Sequence, residues 1–171
     1  MNVKFLNPFV DAAYEVLRAE TNIEMVRGPL HLDKEPYRSN DVTVIISLVG
    51  FVEGNVFYSM DERTATNLAS HIMGEAFDGL SSLAQSGIAE LGNVITGRAS
   101  VKLATAGYES TISPPTLLLG NGAIISSLDY TRLVVPLMGS CGEIVIHLAL
   151  REGTPRAFSA ARTTVAARPV L

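Results

Sequence analysis

The chain has 171 residues, 47% hydrophobic and 18% charged, a size and balance suited to one folded domain and not to disorder. A net charge of −4 and a pI near 5.3 exclude the concentrated basic surface that a phosphate backbone requires, so no nucleic-acid partner is expected. Cys141 is the only cysteine, which rules out an intramolecular disulfide and argues against a cysteine-ligated zinc site.

Met1–Pro8 lacks the basic and apolar runs of a secretory signal, and no apolar stretch reaches the roughly 18 residues that cross a bilayer. The expectation is a cytoplasmic protein with no membrane partner. Asn7-Pro8 is expected to open a first helix, with Asn7 as cap and Phe9, Ala12, Ala13, Val16 and Leu17 at helical spacing. Between Glu20 and Asn40, Met25-Val26 and Leu30 lie among Gly, Pro and charged residues and predict one irregular strand and a loop. Val42–Val49 alternates and is rich in β-branched residues, so it reads as a strand; Gly50 and Gly54 bracket a turn, and Asn55–Met60 returns. Asp61 then caps a helix to about Met73, stopped by Gly74.

After a loop through Gly79, the longest helical segment runs from Leu80 to about Ala106 and ends at Gly107. Gly87, Gly92 and Gly97 interrupt it, each costing about 1 kcal/mol relative to Ala, so a close approach of neighbouring backbone is expected there. Tyr108–Ser113, the Pro114-Pro115 breaker and Ala123–Ser127 follow. A last hairpin then forms from Arg132–Met138, a Gly139–Gly142 turn and Glu143–Leu150. Leu48-Val49-Gly50 with Gly54 resembles Leu137-Met138-Gly139 with Gly142, a sign of internal duplication. From Arg151 periodicity is lost. The expected organisation is one domain over 1–150 and a tail over 151–171 that is flexible or ordered only against a partner.

At about 100° per residue, Ala84, Ile88, Leu91, Ile95 and Ala99 of the long helix fall within an arc of roughly 80°, a core stripe. Ser86, Glu90, Asn93 and Gly97 gather on the opposite side, a carboxylate beside a carboxamide with a small residue on either flank. Geometry alone leaves two accounts open, a solvated face or a surface that accepts another protein. Elsewhere, His31, His71 and His147 have no metal-ligand spacing, and no metal site is expected. Cys141 reads as a small packing residue. Gly120-Asn121-Gly122 reads as a hairpin turn and not a phosphate loop, because no Lys-Ser/Thr or helix follows.

Ser86-x-x-x-Glu90-x-x-Asn93, followed after a spacer by Pro115, resembles the signature of the CheC/CheX family of chemotaxis phosphatases. The string Glu90-Leu91-Gly92-Asn93-Val94-Ile95-x-Gly97 matches it closely. The Asn7-Pro8-Phe9 opening, the Gly50/Gly54 hairpin and the closing hairpin extend the likeness over roughly residues 5–150. CheC-type members carry a second E-x-x-N in the first helix. Here Glu15 is followed by Arg18, which favours the CheX-like branch with one site per chain.

The resemblance implies an α/β fold of the α+β type, an antiparallel sheet built from two similar hairpins with helices packed on it, and a homodimer formed by strand pairing or exchange. It implies dephosphorylation of a phosphorylated CheY-like response regulator. Asn93 would position the attacking water, Glu90 would dock a partner lysine, and Ser86 and Gly97 would border the contact. No cofactor is expected on this chain, and Mg²⁺ is expected on the response regulator. The alternative is a non-catalytic module that docks on a response regulator or flagellar switch component.

Overall fold

The computed structural model describes residues 3–127 and 130–154. A 3-10 turn, Val3–Phe5, leads into α1 (Leu6–Thr21). The cap position therefore falls on Phe5, which makes no side-chain cap, and Asn7 lies inside the first turn instead of capping it. Pro8 sits in that same turn, where its missing N–H removes no helical bond.

Where the sequence predicts one irregular strand, three short ones form: β1 (Val26–Arg27), β2 (His31–Asp33) and β3 (Tyr37–Arg38). The first hairpin follows as β4 (Val42–Gly50) and β5 (Val52–Met60). Next comes α2 (Glu62–Met73), capped by the Asp61 carboxylate, which accepts from the Thr64 N–H, and closed by Gly74 at φ 69°. The long helix α3 (Ser82–Thr105) starts two residues later than predicted, because the Ser81 hydroxyl accepts from the Ala84 N–H and sets the cap.

Beyond it lie β6 (Ser110–Ile112), β7 (Thr116–Leu119), β8 (Ile124–Ile125), β9 (Arg132–Gly139) and β10 (Gly142–Glu152). The Pro114-Pro115 break separates β6 from β7, and both pair with β4. Gly120-Asn121-Gly122 turns the chain, but not within a hairpin: β7 pairs with β4, whereas β8 pairs with β3 in a separate two-stranded sheet. The final strand runs two residues past its predicted end, to Glu152; the expected tail lies, from 155 on, outside the described residues.

The main sheet is antiparallel throughout, in the order β1-β9-β10-β5-β4-β6, with β2 also on β9 and β7 also on β4. The second strands of the two hairpins meet at its centre, Tyr58 opposite Ile146, and the first strands lie outside them. This arrangement gives the two similar hairpins a two-fold relation about the β5–β10 pair. Alternate residues (Val44, Tyr58, Ile144) point towards one face, where they meet Ile88, Leu91 and Ile95 of α3. The core forms there, between sheet and helices.

Helix α3 comes closest to the sheet at Gly92. A Cβ on this residue would lie 2.8 Å from Cγ1 of Val44 and 3.3 Å from Cδ2 of Tyr58, both buried. The other two helical glycines face ordinary contacts, at 3.6 Å to Met73 for Gly87 and 3.9 Å to Ile112 for Gly97. Of the three, only Gly92 is demanded by packing.

On the opposite face of the sheet, the Tyr37 ring stacks on His147 at 4.2 Å and meets Phe57 edge-on at 5.8 Å. Arg132, 1% exposed, lies over Tyr37, pairs with Asp33 at 2.7 Å and donates to the Glu35 carbonyl. Burial, reinforced by the Arg132 charge, lowers the His147 pKa to about 4.

Two expectations follow from this packing. Gly92→Ala inserts a methyl that Val44 cannot clear: overpacking of about 1–3 kcal/mol should outweigh the helical gain of about 1 kcal/mol. Gly97→Ala should keep that gain. Urea unfolding of the two variants should therefore move in opposite directions. His147 binds a proton near pH 6.5 when unfolded but only near 4 when folded, so its contribution is intact above 6.5 and lost as pH falls towards 4. The loss should approach about 3 kcal/mol, and His147→Gln should flatten the stability profile between pH 6.5 and 4.

Candidate functional site

The stripe predicted to face the core (Ala84, Ile88, Leu91, Ile95 and Ala99) is buried along its whole length. Its opposite side carries the predicted polar group. Ser86 and Glu90 are exposed, Asn93 and Gly97 half-buried. One turn of helix brings Glu90 and Asn93 together, and the Asn93 carboxamide donates from Nδ2 to Oε2 of Glu90 at 3.3 Å. Its oxygen, Oδ1, accepts no hydrogen bond among the described residues.

Ser86 and Gly97 are not drawn into this pair. The Ser86 hydroxyl turns back to donate to the Ser82 carbonyl at 2.9 Å, so the residue serves as a compact flank. Gly97 leaves the other flank bare.

Below the pair, Thr96 is fully buried and donates from Oγ1 to the Gly92 carbonyl at 2.8 Å. The Tyr58 hydroxyl lies 2.7 Å from the same Oγ1. Burial raises the Tyr58 phenol well above its usual range and keeps it protonated.

Leu83, 47% exposed, and Val101, 65% exposed, were not singled out by sequence reasoning. They stand eighteen residues apart, five turns of helix, on the same line as Glu90. The available signal was their angular position: at 100° per residue both fall with the polar group and not with the core stripe. The exposed face is thus a polar centre with an apolar residue towards either end.

The first helix offers no equal of this face. Glu15 of α1 lies against α3, where Nζ of Lys102 reaches its carboxylate at 2.7 Å and Nη1 of Arg98 at 3.5 Å. The Lys102 bond leads the effects that hold the Glu15 pKa below its usual value. The acid at which a second motif would start is engaged in helix–helix contact.

Glu90, exposed, and Asn93, half-buried, lie on the side of α3 opposite its buried stripe. Neither residue lines the clefts beside Tyr14 and Ile23 or against Tyr37 and His147. Among the described residues no three His, Cys, Asp or Glu side chains converge to hold a metal. The Cys141 thiol is buried, and desolvation raises its pKa, which makes it a poor nucleophile. Small substrates need concave sites. An acid–amide pair on the exposed side of a helix can act instead by meeting another macromolecule.

Comparison with known proteins bears on what that macromolecule is. The family model described as chemotaxis phosphatase CheX matches residues 42–138. The CheY-P phosphatase CheX of Thermotoga maritima is 28% identical over 154 residues, covering 90% of this chain and 99% of that protein. A CheC-like superfamily protein from Shewanella sp. PV-4 superposes with a TM-score of 0.80 at 27% identity, over 88% of this chain and 99% of its own. A chain of the CheX–CheY–BeF3–Mg²⁺ complex from Borrelia burgdorferi gives a TM-score of 0.68 at 29% identity, over 88% of this chain and 100% of its own. The matched segment runs from the start of β4 through α3 and into β9, more than half of the sequence, and the chain belongs to the CheX family of chemotaxis phosphatases.

Proposed function

We propose that this chain hydrolyses the phospho-aspartate of a phosphorylated CheY-like response regulator, with the Glu90–Asn93 pair of α3 as its working group. The observation that carries this reading is the pairing of a half-buried carboxamide with an exposed carboxylate at 3.3 Å, on the side of α3 opposite its buried stripe. Two relatives support the partner: the Thermotoga protein is named a CheY-P phosphatase, and the Borrelia protein was solved with CheY, BeF3 and Mg²⁺.

The chemistry asks little of this chain. Water attacks phosphorus in line, the bond from phosphorus to the aspartate oxygen breaks, the carboxylate leaves, and inorganic phosphate departs. The regulator supplies the aspartate, the Mg²⁺ and a lysine, and this chain binds no cofactor. Asn93 holds the water, because a carboxamide both accepts and donates without changing protonation state. Glu90 meets the regulator's lysine and sets the docking register. Ser86 and Gly97 keep the flanks low enough for close approach, and Leu83 and Val101 meet the regulator towards the two ends of the face. The reaction takes place in the cytoplasm, where such regulators work.

The active assembly is a homodimer that pairs through the edge formed by β1 and β2. This edge carries Val26, 71% exposed, and Leu32, 64% exposed, apolar side chains left uncovered on short strands. Each dimer then presents two α3 faces.

Phosphate release from a phosphorylated receiver domain tests the site. Asn93→Ala should lower turnover on the order of 100-fold with receiver binding unchanged, and Glu90→Lys should weaken binding about tenfold. Undiminished turnover in Asn93→Ala sinks the mechanism. A regulator that binds yet loses phosphate only at its spontaneous rate identifies an adaptor instead. Sedimentation tests the assembly: Val26→Asp with Leu32→Asp should shift a dimer to monomer, and an unchanged sedimentation coefficient removes this edge from the interface.

A further inference from the structure

We infer that Tyr58 and Thr96 are positioning residues for the reaction, which fix the rotation of α3 and so the place of Asn93. The inference rests on the reading of Glu90 and Asn93 given above.

The hydrogen bonds beneath the site have a forced direction. Gly92 offers Thr96 a carbonyl oxygen, which can only accept, so the single Thr96 proton is used at that 2.8 Å contact. The proton in the 2.7 Å contact between Tyr58 and Thr96 must then come from the phenol. The chain of donation runs from Tyr58 in the sheet, through Thr96, to the Gly92 carbonyl. That carbonyl belongs to the same planar peptide unit as the Asn93 N–H. A strand at the middle of the sheet is thereby tied to the peptide from which the Asn93 side chain grows.

A second contact acts on the same turn. Gly92 lets the helix settle against Val44 and Tyr58 at a distance that no Cβ permits. The close approach sets depth. Apolar contacts are non-directional and leave a helix some freedom to roll, whereas a hydrogen bond constrains angle as well as distance. The buried hydroxyls supply what the surrounding Ile88, Leu91 and Ile95 cannot. Precision matters here, because a water-positioning group displaced by about 1 Å loses on the order of 100-fold in rate.

Tyr58→Phe and Thr96→Val each remove one link while keeping shape, and Thr96→Ser keeps the hydroxyl. With a phosphorylated receiver domain as substrate, Tyr58→Phe and Thr96→Val should each lower kcat about three- to tenfold, with KM within about twofold and Thr96→Ser near wild type. A purely structural role predicts a lower Tm and an unchanged kcat per folded molecule; that result overturns the inference, as does a loss confined to KM. Asn93→Ala is measured alongside. If it loses turnover while Tyr58→Phe does not, the positioning role alone fails; if Asn93→Ala keeps turnover, the reading of the α3 face fails with it.

Discussion

The contact of α3 with β4 and β5 at Gly92 governs much of this molecule. A helix can lie this low on a sheet only where a residue has no Cβ, and here Val44 and Tyr58 fill the space that one would need. Around that point the apolar stripe of α3 closes the core. Its other side, by the geometry of a helix, is turned outward with Glu90 and Asn93 in view. Burial and display are the two faces of one packing event, so the site's placement follows from the core's.

The sheet beneath is well suited to hold such a platform. Its central pair, β5 and β10, comes from the two hairpins, and each strand is hydrogen-bonded along both edges. Tyr58 sits in this central pair. The opposite face is stiffened by another device, a buried guanidinium, phenol and imidazole packed together around Tyr37. Both faces of the sheet are thus backed by packed side chains, with α3 on one side and the Tyr37 cluster on the other.

Much of this was legible in the sequence, and unevenly so. The α3 stripe was recoverable because 3.6-residue periodicity is strong over a helix of 24 residues. The two hairpins stood out by their glycines and β-branched runs. Three short strands between Val26 and Arg38 did not, since two- or three-residue strands are decided by the neighbours they pair with. β7 was hidden by the prolines before it. Asn7 looked like a cap because nothing in composition announces a 3-10 turn ahead of a helix. On α3 the adjacency of Glu90 and Asn93 was recoverable from helical spacing, but the hydroxyl chain from Tyr58 through Thr96 was invisible. Thirty-eight positions separate those residues, and only the tertiary fold brings them together.

The clamp on Glu15 has a consequence for how this fold diversifies. The two halves share a plan of helix and hairpin, yet α1 has given its acid to Lys102 and Arg98. Exchanging Arg18 for asparagine would restore the letters of a second motif without restoring its use. The acid would still be paired with both cations, and freeing it would leave Lys102 and Arg98 without that counter-charge. A second motif on α1 therefore demands coordinated change on both helices. In this chain the acid of α1 serves the contact between two helices, whereas Glu90 of α3 remains exposed beside Asn93.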